Sequence, residues 1–163
     1  MKFFRYFPKT VDSNSRILAN ISKKAALSNS LRNEALLYYT YRVNDGERLD
    51  SLSKKVYGDE QYQWVIAMVN NMMDPRFDLP LSYTEFIEYL TDKYGSVENS
   101  QSEIHHYIDA SGRIVDQWTT PHTPVYTYDY EETLNESKRT IKLVRKEYVS
   151  QFLEELKRVM DYV

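Results

Sequence analysis

The chain has 163 residues, 42% of them hydrophobic and 28% charged, with a formal net charge of -3 and no cysteine. These proportions fit one water-soluble domain with a small extension, and they exclude a disulfide framework, a thiolate nucleophile, a sulfur metal site and a general attraction to nucleic acid. No apolar run approaches the roughly 18 residues that a membrane-spanning helix requires. The opening MKFFRYFPK is followed at once by Asp12, so no export signal can be drawn, and the lack of cysteine suits assembly in a reducing cytoplasm. Fifteen tyrosines are the unusual figure. Tyr supplies a large contact area with a polar tip and is enriched where proteins meet, so the composition points to a contact-making protein.

In chain order, residues 1–37 read as an N-terminal arm. Phe3, Phe4, Tyr6 and Phe7 form an aromatic cluster, and a polar stretch around Asp12 to Asn14 follows. In RILANISKKAALSNSLRNEALL, Ile17, Leu18, Ile21 and Ala25 suggest a short helix before Ser28, Asn29 and Ser30 break the period; an irregular arm is the alternative. Tyr39, Tyr41 and Val43 alternate with polar residues and run into Asn44-Asp45-Gly46, the pattern of a short strand closed by a turn. Leu49, Leu52 and Val56 put one apolar stripe on a helix that Gly58 stops. Asp59 then offers its carboxylate as an N-cap to a helix from about Glu60 to Asn71. That helix carries Tyr62, Trp64, Val65, Ile66, Ala67, Met68 and Val69, too many apolar side chains for one stripe of about 100°, so it must be covered on two sides.

Ser82 and Glu85 form a capping box before an amphipathic helix through Phe86, Ile87, Leu90 and Tyr94, closed by Gly95. IHHYIDASGRIVDQW reads as a β-hairpin turned by Asp109 to Gly112, with the glycine in the left-handed region. TTPHTP reads as a Pro-punctuated linker, VYTYDYEE as an aromatic and acidic segment without a defined form, and RTIKLV as a strand. Val149, Phe152, Leu153, Leu156, Val159, Met160 and Val163 share one stripe of a docked C-terminal helix.

Reactive chemistry finds no constellation in this order of residues. His105 and His106 are neighbours on a strand, where successive side chains alternate, so their rings are expected to diverge, and no carboxylate at helical spacing completes a site with them or with His122. Asp74 with Asp78 and Glu131 with Glu132 are the carboxylate pairs that a hydrolase would use. Asp74, however, belongs to a turn before Pro75, and Glu131-Glu132 to a solvated acidic run. The glycines fall at turns and helix ends rather than in a phosphate-cradling loop. Lys138, Arg139, Lys142, Arg145 and Lys146 read as solvated charge guarding a strand edge. The expectation is a protein with no catalytic, cofactor-binding or metal-ligating residues. Its candidate interface residues are Phe3, Phe4, Tyr6 and Phe7 on the arm, with Tyr62, Tyr126, Tyr128 and Tyr130.

The order strand, Asp-Gly turn, helix, Gly, helix, Asn-Asn over residues 39–75 resembles the LysM domain. Tyr41 and Val43, Asp45-Gly46, Leu49 and Leu52, Tyr57-Gly58, Trp64 to Val69 and Asn70-Asn71 carry the likeness. Arg48 stands where that family usually caps the first helix with Thr or Ser, and MMDPRFDLPLS leads into another helix where a second strand would follow. Both departures fall in the loops that form the glycan groove of LysM modules. A lone strand is unstable, so Thr140 to Val144 is expected to return and pair with it, which makes residues 76–138 an insertion.

More widely, the chain resembles the LysM-containing baseplate wedge subunits of contractile-tailed bacteriophages. YGDEQYQWVIAMVNNMMDP, EFIEYLTDKYG, HHYIDASGRIVDQW and IKLVRKEYVSQFLEELKRVM carry that likeness, most strongly at Tyr57-Gly58, Trp64-Val65, Asn70 and Asp74-Pro75. The resemblance implies an α+β fold: a LysM-like βααβ core at 38–75, an inserted helix and hairpin at 76–138, and a closing strand and C-terminal amphipathic helix at 139–163. It further implies a non-enzymatic virion protein of the tail baseplate, assembled in the host cytoplasm, that takes no cofactor. Such a subunit would sit in multiple copies in a ring-like assembly and join other wedge, sheath-initiator and hub proteins through protein contacts alone. The rival readings are a peptidoglycan-binding LysM module and an unrecognised small hydrolase.

Overall fold

In a computed structural model of the chain, the described residues are 5, 7–20 and 36–161, without the side chains of 159–161. Phe3, Phe4 and Tyr6, and the part of the expected helix at Ile21 and Ala25, lie outside them. In chain order the elements are β1 (Lys9–Val11), β2 (Ile17–Ala19), β3 (Tyr38–Arg42), α1 (Leu49–Tyr57), a 3-10 turn (Glu60–Tyr62), α2 (Gln63–Val69), α3 (Pro75–Asp78) and α4 (Tyr83–Tyr94). They continue as α5 (Val97–Ser102), β4 (Ile104–Ile108), β5 (Ile114–Val115), β6 (Thr123–Tyr126), α6 (Thr127–Ser137), β7 (Thr140–Val144), a second 3-10 turn (Lys146–Tyr148) and α7 (Val149–Asp161). The fold is a mixture of helix and sheet, as α+β requires. It divides into two compact units, one of Met1–Arg42, Glu47–Pro75 and Ile141–Val163, the other of Val43–Gly46 and Arg76–Thr140.

In the first unit, α1 begins without a side-chain cap from Arg48. Ser51 supplies the substitute: its Oγ accepts from the Arg48 N–H at 3.3 Å and donates to the Arg48 carbonyl at 2.8 Å. The helix ends at Gly58, whose φ of +82° is left-handed and whose N–H donates to the Lys54 carbonyl at 2.9 Å. A Cβ added there would meet nothing within 4 Å. Gly58→Ala is therefore expected to cost only the left-handed backbone strain, about 1 kcal/mol, read as a lower urea midpoint with an unchanged slope.

Asp59 caps the next segment by accepting from the Gln61 N–H at 2.9 Å. The first turn is 3-10, and α2 proper starts at Gln63. Trp64, Val65, Ile66 and Val69 are buried, and Ala67 and Met68 are half-buried, so the excess apolar surface of this helix is largely covered within the chain. Asn70 closes α2 and ties it to β7: its Nδ2 donates to the carbonyls of Ile66 (2.9 Å) and Lys142 (2.8 Å), and its Oδ1 accepts from the Lys142 N–H at 2.8 Å. β7 pairs with β3, the pairing expected of Thr140 to Val144. The flanking bonds, Arg145 N–H to the Leu37 carbonyl and Val43 N–H to the Arg139 carbonyl, make the pair antiparallel. Val149, Phe152 and Leu156 of α7 are buried, as a docked amphipathic helix demands.

One expectation in this unit is corrected. Ile17 and Leu18 lie not in a helix but in β2, which pairs antiparallel with β1. The cause is the turn between them. The Asp12 carboxylate accepts from the N–H groups of Asn14 and Arg16, both at 2.8 Å, and from Arg16 Nε at 3.0 Å, while Ser15 takes a φ of +60°. These bonds reverse the chain before a helical turn can form.

The second unit holds a three-stranded antiparallel sheet in the order β5-β4-β6, with α4, α5 and α6. The expected hairpin is present, its Gly112 at φ +75° and its N–H donating to the Asp109 carbonyl at 2.9 Å. TTPHTP is not wholly a linker, because Thr123 and Pro124 begin β6. Pro is tolerated there since β6 is an edge strand, where a missing N–H need not break a ladder. The segment without a defined form becomes the end of β6 and α6. The Ser82 and Glu85 capping box closes as expected: the Ser82 N–H donates to the Glu85 carboxylate at 2.9 Å and the Glu85 N–H to Ser82 Oγ at 3.4 Å. Arg139, expected in solvent, is buried. Its guanidinium pairs with Glu136 at 2.7 Å and donates to the Val43 carbonyl at 3.3 Å.

Candidate interaction surface

The second unit contains an open groove of about 970 Å³ lined by α3, α4 and α6, with His105 of β4. Its walls are set by local rules. Pro75 opens the single turn α3, where a missing N–H costs nothing, and places Phe77 on the rim. Asn135 of α6 brackets Leu81, accepting from its N–H at 2.8 Å and donating to its carbonyl at 3.1 Å. That pair anchors the start of α4 to α6.

Glu131 lies deep in the groove wall, and the expectation that it belongs to a solvated acidic run is corrected. Its side chain is 8% exposed and accepts from Lys93 Nζ at 2.7 Å, from Tyr94 OH at 2.6 Å and from Tyr89 OH at 3.2 Å. Lys93 also donates to Tyr89 OH at 2.7 Å. Burial pushes the Glu131 carboxyl up, but the bonds from Lys93, Tyr94 and Tyr89 together outweigh it and hold the group below the usual carboxylate range. Lys93 is held well above its ordinary value, chiefly by its bond to Glu131. A carboxylate locked as an ion by three donors has no spare basicity for acid-base chemistry, so this cluster is structural.

His105 and His106 are also placed unexpectedly. A register shift between Ile104 and His106 in the β4–β6 ladder breaks the strict alternation of faces. The two rings consequently meet, Nδ1 to Nδ1 at 2.8 Å, and His105 stacks on Tyr130 with centroids 3.8 Å apart. Among the described residues no group of three or more His, Cys, Asp or Glu is arranged to hold a metal.

The candidate interface residues fall into different settings. Phe7 is buried, at 7% exposure, and Tyr62 is half-buried with its ring edge-on to Tyr57. Tyr128 packs edge-on against Phe86, Tyr130 lines the groove, and Tyr126 is exposed beside β4. Of the described candidates, only Tyr130 belongs to the groove. The Lys93 to Glu131 pair escaped the sequence reading, although Tyr89 and Lys93 stand one helical turn apart on α4, a polar stripe beside the apolar one.

A family model described as Base plate wedge protein 53 matches residues 3–129. The chain belongs to that family. It is also similar to "Baseplate wedge protein gp53" of Enterobacteria phage T4, with 24% identity over 144 residues, covering 75% of this chain and 73% of the relative. As a member of the wedge family it is a structural component of a phage virion, located at the baseplate of a contractile tail.

Proposed function

We propose that this wedge-family chain joins neighbouring wedge proteins around the tail hub through protein contacts alone, in multiple copies of a ring-like assembly that also meets hub and sheath-initiator proteins. The observation that carries the reading is the family match across residues 3–129. The physical means is repeated burial of surface: several modest interfaces on one subunit reinforce one another through effective concentration. Assembly takes place in the host cytoplasm, and the chain performs no chemistry of its own.

A LysM-like core underlies this role as a scaffold. The succession of β3, α1, α2 and β7, with β3 paired to β7, supports that reading. Residues 38–75 then form the core, residues 139–163 close it, residues 76–138 are its insertion and residues 1–37 its arm. Phe3, Phe4 and Tyr6 of the arm and the exposed tyrosines are contact points for neighbours.

Co-expression with the other wedge proteins of the same phage tests the proposal. The expected result is a complex that survives size exclusion, and no retention on purified cell wall. Pelleting with peptidoglycan that soluble chito-oligosaccharide abolishes, with no wedge complex formed, would overturn it in favour of a sugar-binding module.

A further inference from the structure

We propose that the groove between α4 and α6 receives a lysine- or arginine-bearing apolar segment of another baseplate protein, a proposal that rests on the wedge-joining function above. Two of its apolar lining residues remain open to solvent, Phe77 at 68% exposure and Leu134 at 41%. Single exposed apolar residues are ordinary on a protein surface, but two that line the same open groove leave apolar area for a partner to cover.

Charge selects the partner. Glu85, Glu88 and Asp92 recur along α4 at one helical face, and all three line the groove. Like charges at this spacing repel across a helix surface, so the row is unfavourable for α4 by itself. Glu85 is engaged at the helix start by Ser82. Glu88 and Asp92 are exposed and have no hydrogen bond or ion pair among the described residues. Of the groove's cations, Lys93 is paired with Glu131 at 2.7 Å, and Lys138 donates to the neutral Phe77 carbonyl at 2.8 Å and keeps its charge, so the four lining carboxylates, Glu85, Glu88, Asp92 and Glu131, still exceed the two ammonium groups. An uncompensated acidic edge along an apolar trough attracts a cationic apolar segment and rejects an acidic one or a nucleic acid.

The test uses the full chain co-expressed with the other wedge proteins of its phage, as wild type and as Glu88→Lys/Asp92→Lys. The double reversal keeps the repulsion between positions 88 and 92 and turns that with Glu85 into attraction, so the far-ultraviolet spectrum is expected to hold and the urea midpoint not to fall. Recovery of one wedge partner is expected to fall roughly tenfold, whereas the control Glu154→Lys, exposed on α7, leaves recovery alone. Because the chain has no cysteine, Ser137→Cys carries a single photo-crosslinker at the groove. The expected product links it to a partner peptide with Lys or Arg among apolar residues. Undiminished recovery of every partner by the double variant overturns the groove proposal while leaving the wedge-joining function standing. So does a crosslink to a second copy of this chain or to an acidic peptide. If the wild type recovers no wedge protein at all, the wedge-joining function fails and the groove proposal falls with it.

Discussion

Lys93→Met is expected to lower the stability of the second unit by about 2 kcal/mol, read as a reduced urea midpoint followed by tyrosine fluorescence. The substitution removes the cation from Glu131, whose side chain is 8% exposed, and leaves a buried carboxylate with only the Tyr94 and Tyr89 hydroxyls as donors. Losing one partner of a buried pair costs more than the pair contributes, because the stranded charge remains desolvated. The loss falls short of a fully buried pair because the Lys93 side chain is 47% exposed and water can reach the site it leaves. Lys93→Met/Glu131→Leu removes both charges and is expected to regain most of the loss; a double variant as unstable as the single one would sink the account.

The pair also sets a pH dependence. Glu131 has a lowered pKa in the fold, so its contribution is complete above the ordinary carboxylate range and is lost as pH falls through the lowered value. Lys93 has a raised pKa, so its contribution is complete below the ordinary lysine range and is lost only as pH rises through the raised value. Between those ranges the pair contributes a flat term. In Lys93→Met the burial of Glu131 is opposed by the Tyr94 and Tyr89 hydroxyls alone, so its pKa lies above that in wild type and the gap between the two proteins is expected to narrow as pH falls through the carboxylate range.

Asn70→Asp is expected to destabilise the first unit by about 3 kcal/mol at neutral pH, more than Asn70→Ala at about 2 kcal/mol. The amide is used in both directions. Its oxygen accepts from the Lys142 N–H at 2.8 Å, and its nitrogen donates to the carbonyls of Ile66 and Lys142 at 2.9 Å and 2.8 Å. A carboxylate keeps the first bond but points its second oxygen at two carbonyl oxygens, replacing attraction by repulsion. The new carboxyl is therefore raised in the fold, and the variant is expected to gain stability as pH falls through that value, because a protonated oxygen donates again. A pH-independent loss equal to that of Asn70→Ala would refute the role assigned to the nitrogen.

The local devices of this fold stand in the sequence. Gly58 and Gly95 stop helices, the Ser82 and Glu85 pair starts one, and Asp109 to Gly112 turns a hairpin, because each needs only residues within about one turn of one another. The return of Thr140 to Val144 to β3 was legible too, since a lone strand has unmet backbone bonds. The twin of the second hairpin was not. DSNSR at 12–16 makes the same Asp-centred turn as DASGR at 109–113, with Asp109 accepting from Ser111 and Arg113 as Asp12 does from Asn14 and Arg16. A serine at the left-handed position hides the signal that glycine displays.

The groove itself was illegible. Its lining joins residues from 77 to 138, and the Glu131 to Lys93 bond spans 38 positions, as the Asn70 to Lys142 bond spans 72. No periodicity reports on partners that far apart. By itself, then, the sequence determined the places of α1, α4, α7, β3, β7 and the second hairpin, and that α2 carries more apolar surface than one face can hide. Tertiary structure alone decided that Glu131 is an ion held out of water, that a bulge brings His105 and His106 into contact, and that an acidic edge borders an apolar trough. Propensity acts over a few bonds of backbone, whereas burial and charge pairing depend on which distant segments exclude water from one another.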